Sequence, residues 1–138
     1  MVGLILVAHG NLANELLNTT AMILGEALTS AVGVPVNAMD DPESITDRIE
    51  QAIEQVNTGR GVLILTDMFG GTPSNVALSF HQDGVVDVIS GMSLPMMLRF
   101  AESRDADSLS ALAQGVKNAA LESVSLASDL LSVKEADG

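Results

Sequence analysis

The chain has 138 residues, enough for one domain with a real core, and its 47% hydrophobic against 17% charged residues fit a compact globular protein rather than a disordered one. Six basic residues against eighteen acidic ones leave a net charge of -12, a surface that repels nucleic acid and anionic membrane and favours basic partners. With no cysteine, disulfides, thiol nucleophiles and cysteine-based metal sites are excluded, and with no Trp or Tyr there is little aromatic platform for stacking bases.

No apolar run approaches the ~18 residues that crossing a bilayer needs. The apolar opening Met1 to Ala8 has no basic lead-in and reads as a buried strand over 2–8 rather than a signal peptide. A helix over 11–26 follows, with Leu12, Leu16, Leu17, Ile23 and Leu24 on one stripe. Residues 31–38 read as the second strand, and Pro35, which has no N–H for a ladder, puts it at a sheet edge.

Asp41-Pro42 opens a second helix as cap and first helical residue, with Ile45, Ile49, Ile53 and Val56 as its core stripe. Its carboxylates Glu43, Asp47, Glu50 and Glu54 read as a solvated face. The third strand, 61–66, is apolar almost throughout, as a strand covered on both faces must be. A short helix from Pro73 to Phe80, a fourth strand over 85–90, a helix starting near Pro95 and a long helix over 107–120, striped by Leu109, Leu112, Ala113 and Val116, complete the regular pattern. Residues 122–128 read as a final strand, and Lys134 to Gly138 as a frayed tail.

Alternating strands and helices define an open, doubly wound α/β fold with a mainly parallel sheet. Right-handed crossovers and the edge position of the second strand give the order 2-1-3-4. The chain then reverses direction across the sheet between the first and third strands. Reactive groups in such sheets gather at the carboxyl ends of the strands beside that switch point. The first strand ends at His9-Gly10 and the third at Asp67.

A neutral histidine offers one ring nitrogen as a nucleophile while the other carries a proton. A carboxylate that accepts this proton fixes the tautomer and stabilises the charge that builds on attack. Asp67 is placed to pair with His9 in this way. The loop from Asp67 to Asn75 supplies the rest. Gly70-Gly71 lets backbone approach a ligand closely, and Thr72 and Pro73 read as cap and first residue of a helix whose free N–H groups suit phosphoryl oxygens. Met68, Phe69, Met92, Met96 and Met97 cluster near the strand ends, and of these Met68 and Phe69 are expected to be exposed for partner docking. His81 reads as a surface residue.

Three segments carry a resemblance: Leu6-Val7-Ala8-His9-Gly10, the run from Leu65 to Asn75 with its Asp67-Met68-Phe69-Gly70-Gly71-Thr72-Pro73 core, and Gly91-Met92-Ser93-Leu94-Pro95-Met96. Together, at these spacings, they resemble the mannose-family IIA domain of the bacterial sugar phosphotransferase system, over residues 1 to about 128. The resemblance implies that His9 is phosphorylated through Nε2, that Asp67 is its hydrogen-bond partner, and that the Thr72 hydroxyl lies beside the phosphoryl group. It implies the carrier protein HPr as donor, a IIB protein as acceptor and a cytoplasmic location. It also implies a homodimer in which a final antiparallel strand, here 122–128, crosses to the partner subunit.

No metal or cofactor is required by that chemistry, and no direct membrane insertion or nucleic-acid partner is expected. The chain differs from many relatives in reading as a single domain over 1–138 without a fused IIB domain, and in having Phe69 where some carry tryptophan. Other readings of the same residues are a hydrolase using His9, Asp67 and Thr72, a receiver domain phosphorylated on Asp67, a dihydroxyacetone-kinase-type phosphotransfer subunit, and a regulator that reports its own phosphorylation state. The first lacks a Gly-x-Ser-x-Gly elbow. The second lacks an acidic cluster after the first strand.

Overall fold

A computed structural model describes residues 1–137. Four parallel strands, β1 (Gly3–His9), β2 (Ala31–Val36), β3 (Val62–Thr66) and β4 (Val86–Ser90), form one sheet in the order β2-β1-β3-β4. The predicted order holds, with the Pro35-bearing strand at the edge. The connecting helices are α1 (Leu12–Leu24), α2 (Pro42–Val56), α3 (Thr72–Leu78), α4 (Leu94–Ser103) and α5 (Leu109–Ser123).

Alternation along β1 explains how one strand serves two cores. Leu4, Leu6 and Ala8 join Leu63 and Leu65 against Met96, Met97 and Phe100 of α4 and Leu109, Leu112, Ala113 and Val116 of α5. Ile5 and Val7 turn the other way, with Ile64, onto Ile45, Ile49 and Val56 of α2 and Val76 and Ala77 of α3. Because both faces are covered, the central strands are apolar throughout, and β1 is fully buried until its last residue, His9. Gly3 is required by this packing: a Cβ there would collide with the Val56 carbonyl at the end of α2.

Asp41 caps α2 as expected, its carboxylate accepting the Ser44 N–H at 2.7 Å. The acidic residues of α2 are exposed. The expected stripe of α1 is only half right. Leu16 and Leu17 pack on the core, but Leu12, Ile23 and Leu24 are exposed and the fully buried positions are Ala13 and Thr20. Ala13 is small where α1 lies close to β2, its Cβ and the Asn14 side chain meeting Gly33, and the Thr20 hydroxyl is satisfied by the Leu16 carbonyl at 2.7 Å.

Residues 122–128 are not a strand. α5 runs on to Ser123, and a further helix, α6 (Ala127–Asp137), begins after three residues, with the Leu126 carbonyl accepting the Asp129 and Leu130 N–H groups. A lone strand has no means of satisfying its backbone without an edge to pair with, whereas a helix satisfies its own. The frayed tail expected from Lys134 is likewise helical in its backbone to Asp137, and Gly138 lies outside the described residues. Among the described residues, no helix is long and apolar enough to cross a membrane.

Candidate functional site

The β1 ladder continues one residue past its end, Gly10 donating to the Val36 carbonyl at 2.8 Å. On the other side, β3 turns away after Thr66, so the His9 N–H has no ladder carbonyl to meet. The Asp67 carboxylate takes that place: its Oδ2 accepts the His9 backbone N–H at 2.9 Å and lies 2.7 Å from His9 Nδ1. Its Oδ1 accepts the Met68 N–H at 2.9 Å. Asp67 is thus held by three N–H groups at the gap between the two central strands.

Burial pushes the Asp67 carboxyl up, but the His9 backbone N–H, the His9 ring and the Met68 N–H outweigh it and hold the carboxyl below its ordinary value. An ionised carboxylate only accepts, so Nδ1 carries a proton, and in the neutral ring Nε2 is the nitrogen with the lone pair. The His9 side chain is 55% exposed and that of Asp67 only 11%. The His9 ring is therefore half-exposed while the carboxylate beside it is sheltered.

The lowered value has a sign that can be checked. A carboxylate whose folded value lies below its unfolded one stabilises the fold fully above the ordinary aspartate range, and this contribution is lost as pH falls through the folded value. Asp67→Asn is therefore expected to unfold at a lower temperature than the native chain at neutral pH. The gap should narrow as the pH approaches about 3 in thermal melts of both proteins; a gap that stays constant with pH would contradict the assignment.

The glycine loop closes over the ring. Gly70 adopts φ 94°, open only to glycine at little cost, and is exposed. Gly71 lies so near that a Cβ on it would sit 3.2 Å from His9 Cε1 and 3.8 Å from Nε2. Here the structure corrects the sequence reading by one position: Gly71, not Thr72, caps α3, and its carbonyl accepts the Asn75 N–H at 2.9 Å. A Cβ at this cap would crowd the ring, and Thr72 is the first helical residue, exposed, with Pro73 buried behind it.

Met68 and Phe69 are exposed beside the site, whereas Met96 and Met97 belong to the core and Met92 packs against it. His81 is half-exposed near Asp83 and Asp87. Sequence reasoning missed Leu12 and Met39, two further exposed apolar residues, which follow the carboxyl ends of β1 and β2. It also missed the hydroxyl groups of Thr66, Ser74 and Ser90 beneath the loop. Ser74 stands in the quoted motif, but nothing in the sequence pairs it with Ser90.

Fold and site together define an open parallel α/β protein with an oriented His–Asp pair at the switch point of its sheet. Residues 3–117 match the family model EIIA-man, described as the PTS system fructose IIA component, and the chain belongs to that family. It is 30% identical over 132 residues, covering 95% of this chain and 90% of the relative, to the fructose-specific EIIA component of the phosphotransferase system of Bacillus subtilis. It is 34% identical over 110 residues, 79% of this chain and 78% of the relative, to the sorbose-specific EIIA component of Lacticaseibacillus casei. The crystal structure of phosphotransferase system component EIIA from Streptococcus agalactiae superposes with a TM-score of 0.83 at 26% identity, covering 94% of this chain and 99% of that one.

Proposed function

We propose that residues 1–138 act as one EIIA domain that accepts a phosphoryl group on His9 Nε2 from phospho-HPr and passes it to a IIB protein, with the resulting phosphorylation state also available as a regulatory signal. The observation that carries this reading is the 2.7 Å contact between His9 Nδ1 and Asp67 Oδ2 beneath a half-exposed ring. In the neutral ring it leaves the lone pair on Nε2, beside the glycine loop.

The step is an in-line displacement. The Nε2 lone pair forms a bond to phosphorus as the P–N bond of the donor phosphohistidine breaks, and that bonding pair returns to the donor ring. The Nδ1 proton stays in place, so positive charge builds on the His9 imidazole, and the Asp67 carboxylate stabilises it. Loop amides from Gly70 to Thr72 and the Thr72 hydroxyl face the equatorial oxygens in this scheme. Positioning and charge stabilisation carry the rate, as in other phosphoryl transfers.

Met68 and Phe69 provide the apolar centre of the docking surface for both carriers, within a chain whose net charge of -12 attracts basic partners. Homodimer formation is part of the same proposal. It is supported by the edge position of β4 and by an adjacent apolar groove of about 760 Å³ lined by Phe69, Leu78, Val88, Ile89, Leu121 and Val124.

The test is incubation with phosphoenolpyruvate, enzyme I and HPr, followed by intact and native mass measurement. The expected product is a dimer with one phosphoryl group per chain, labile in acid and stable in base. No gain from a competent donor would overturn the carrier reading, and a monomer would overturn the dimer.

A further inference from the structure

Three hydroxyl groups meet under the glycine loop. The Thr66 hydroxyl donates to Ser90 Oγ at 2.9 Å, and Ser90 Oγ shares a second bond, 3.3 Å long, with Ser74 Oγ, in which either group can donate. Thr66 and Ser74 are completely buried, whereas Ser90 is partly exposed, so the two buried hydroxyls rely on Ser90 as their partner. Thr66 ends β3 immediately before Asp67, and Ser74 follows Pro73 in the first turn of α3. The two residues therefore flank the loop 67–73, and Ser90, the register partner of Thr66 on β4, bridges them.

The Thr66 carbonyl adds a second fastening by accepting the Gly91 and Met92 N–H groups, each at 3.0 Å. Within the loop the other fastenings are the Asp67 carboxylate, which accepts from His9 and Met68, and the Gly71 carbonyl, which accepts the Asn75 N–H. Gly70 and Gly71 have no side chains, and Met68 and Phe69 point into solvent. We infer that Ser90 is a positioning residue for phosphoryl transfer: its hydroxyl clamps both ends of the loop and so holds Asp67 and Gly71 in register with the His9 ring. This rests on the phosphocarrier reading of His9.

A sub-ångström shift of either end moves the carboxylate off Nδ1 or the loop amides off the phosphoryl oxygens. Misplacement of about 1 Å costs on the order of 10²-fold in rate, and the loss of one clamp with partial relaxation is expected to cost roughly 10-fold. The loss is read in kcat; Met68 and Phe69 ride on the same loop, so KM for phospho-HPr moves with it, and rescue by a hydroxyl-bearing variant is what separates positioning from structure.

The experiment is quench-flow phosphorylation by phospho-HPr of the native chain, Ser90→Ala, Ser90→Thr and Thr66→Val, with thermal melts of each. Ser90→Ala is expected to lose about 10-fold in kcat, and Ser90→Thr, which keeps the hydroxyl, to recover the native rate. Thr66→Val removes the same bond from the other side with no change in shape, and answers the question if Ser90→Ala does not fold.

Native kcat in a folded Ser90→Ala or Thr66→Val, even with a lowered melting temperature, would reduce Ser90 to a structural role and overturn the inference. So would a loss that Ser90→Thr does not restore. A separate arm uses the unphosphorylated protein: the His9 Nδ1 proton, followed by NMR, should exchange with solvent faster in Ser90→Ala than in the native chain. Unchanged exchange overturns the clamp. A native chain that takes no phosphoryl group while the exchange difference persists overturns the carrier reading and leaves the clamp as geometry.

Discussion

His9→Ala is expected to fold normally and to take up no phosphoryl group from phospho-HPr, and Asp67→Asn to take it up about 10²- to 10³-fold more slowly, the cost of losing one electrostatic stabiliser. The two outcomes differ because the residues do different things. The His9 ring is 55% exposed, so truncating it removes little buried surface. Asp67 keeps the His9 backbone and Met68 N–H groups as partners. What disappears is the nucleophile.

In Asp67→Asn the nucleophile remains, but an amide has one acceptor oxygen where the carboxylate serves three N–H groups. Either a ring proton or a backbone N–H then faces an NH₂ group. The tautomer with Nδ1 protonated is no longer favoured, and no negative charge opposes the one that builds on the ring. Single-turnover uptake resolves the rate, and intact mass resolves the His9 variant. A phosphoryl group on His9→Ala that is labile in base would place the chemistry on Asp67 and sink the mechanism proposed above.

Arg104→Met is expected to destabilise the fold by about 3 kcal/mol, on the order of 10 °C in melting temperature, with the uptake rate unchanged below the transition. Arg104 is 4% exposed and its guanidinium lies 4.9 Å from the centroid of the Phe100 ring. It donates twice to the Val2 carbonyl, at 3.2 and 2.8 Å, once to Thr29 at 2.7 Å and once to Ser30 at 3.2 Å. Those carbonyls belong to the approaches to β1 and β2. The bonds also hold Ser30, whose φ of 46° is unusual for a residue with a side chain.

Methionine fills much of the volume but leaves these carbonyls without their donors. Because this end of the sheet is opposite the carboxyl ends that carry His9 and Asp67, stability and activity separate. Equal melting temperatures for the two proteins would disprove the staple, and a slowed uptake at unchanged stability would disprove the separation.

Local chemistry made much of the molecule readable in advance. Pro35 has no N–H and so marked an edge strand; Asp41-Pro42 marked a helix start. Runs of apolar residues marked strands covered on both faces, and handed crossovers then placed His9 and Asp67 at neighbouring strand ends. These features depend on a residue and its near neighbours, or on a rule of chain geometry, and both are present in a linear string.

The remainder depends on which distant atoms meet. A Cβ on Gly71, the cap of α3, would sit 3.2 Å from the His9 ring, a contact between positions 62 residues apart in numbering that no local preference encodes. Val124 and Leu126 alternate like a strand, yet helix surrounds them, since pairing needs an edge and local hydrogen bonds do not. The exposed leucines of α1, the carbonyl bonds of Arg104 and the hydroxyl clamp at Ser90 follow from packing distance and strand register. Those are decided only when the sheet assembles, because a buried polar group is acceptable or costly according to the partner that arrives beside it.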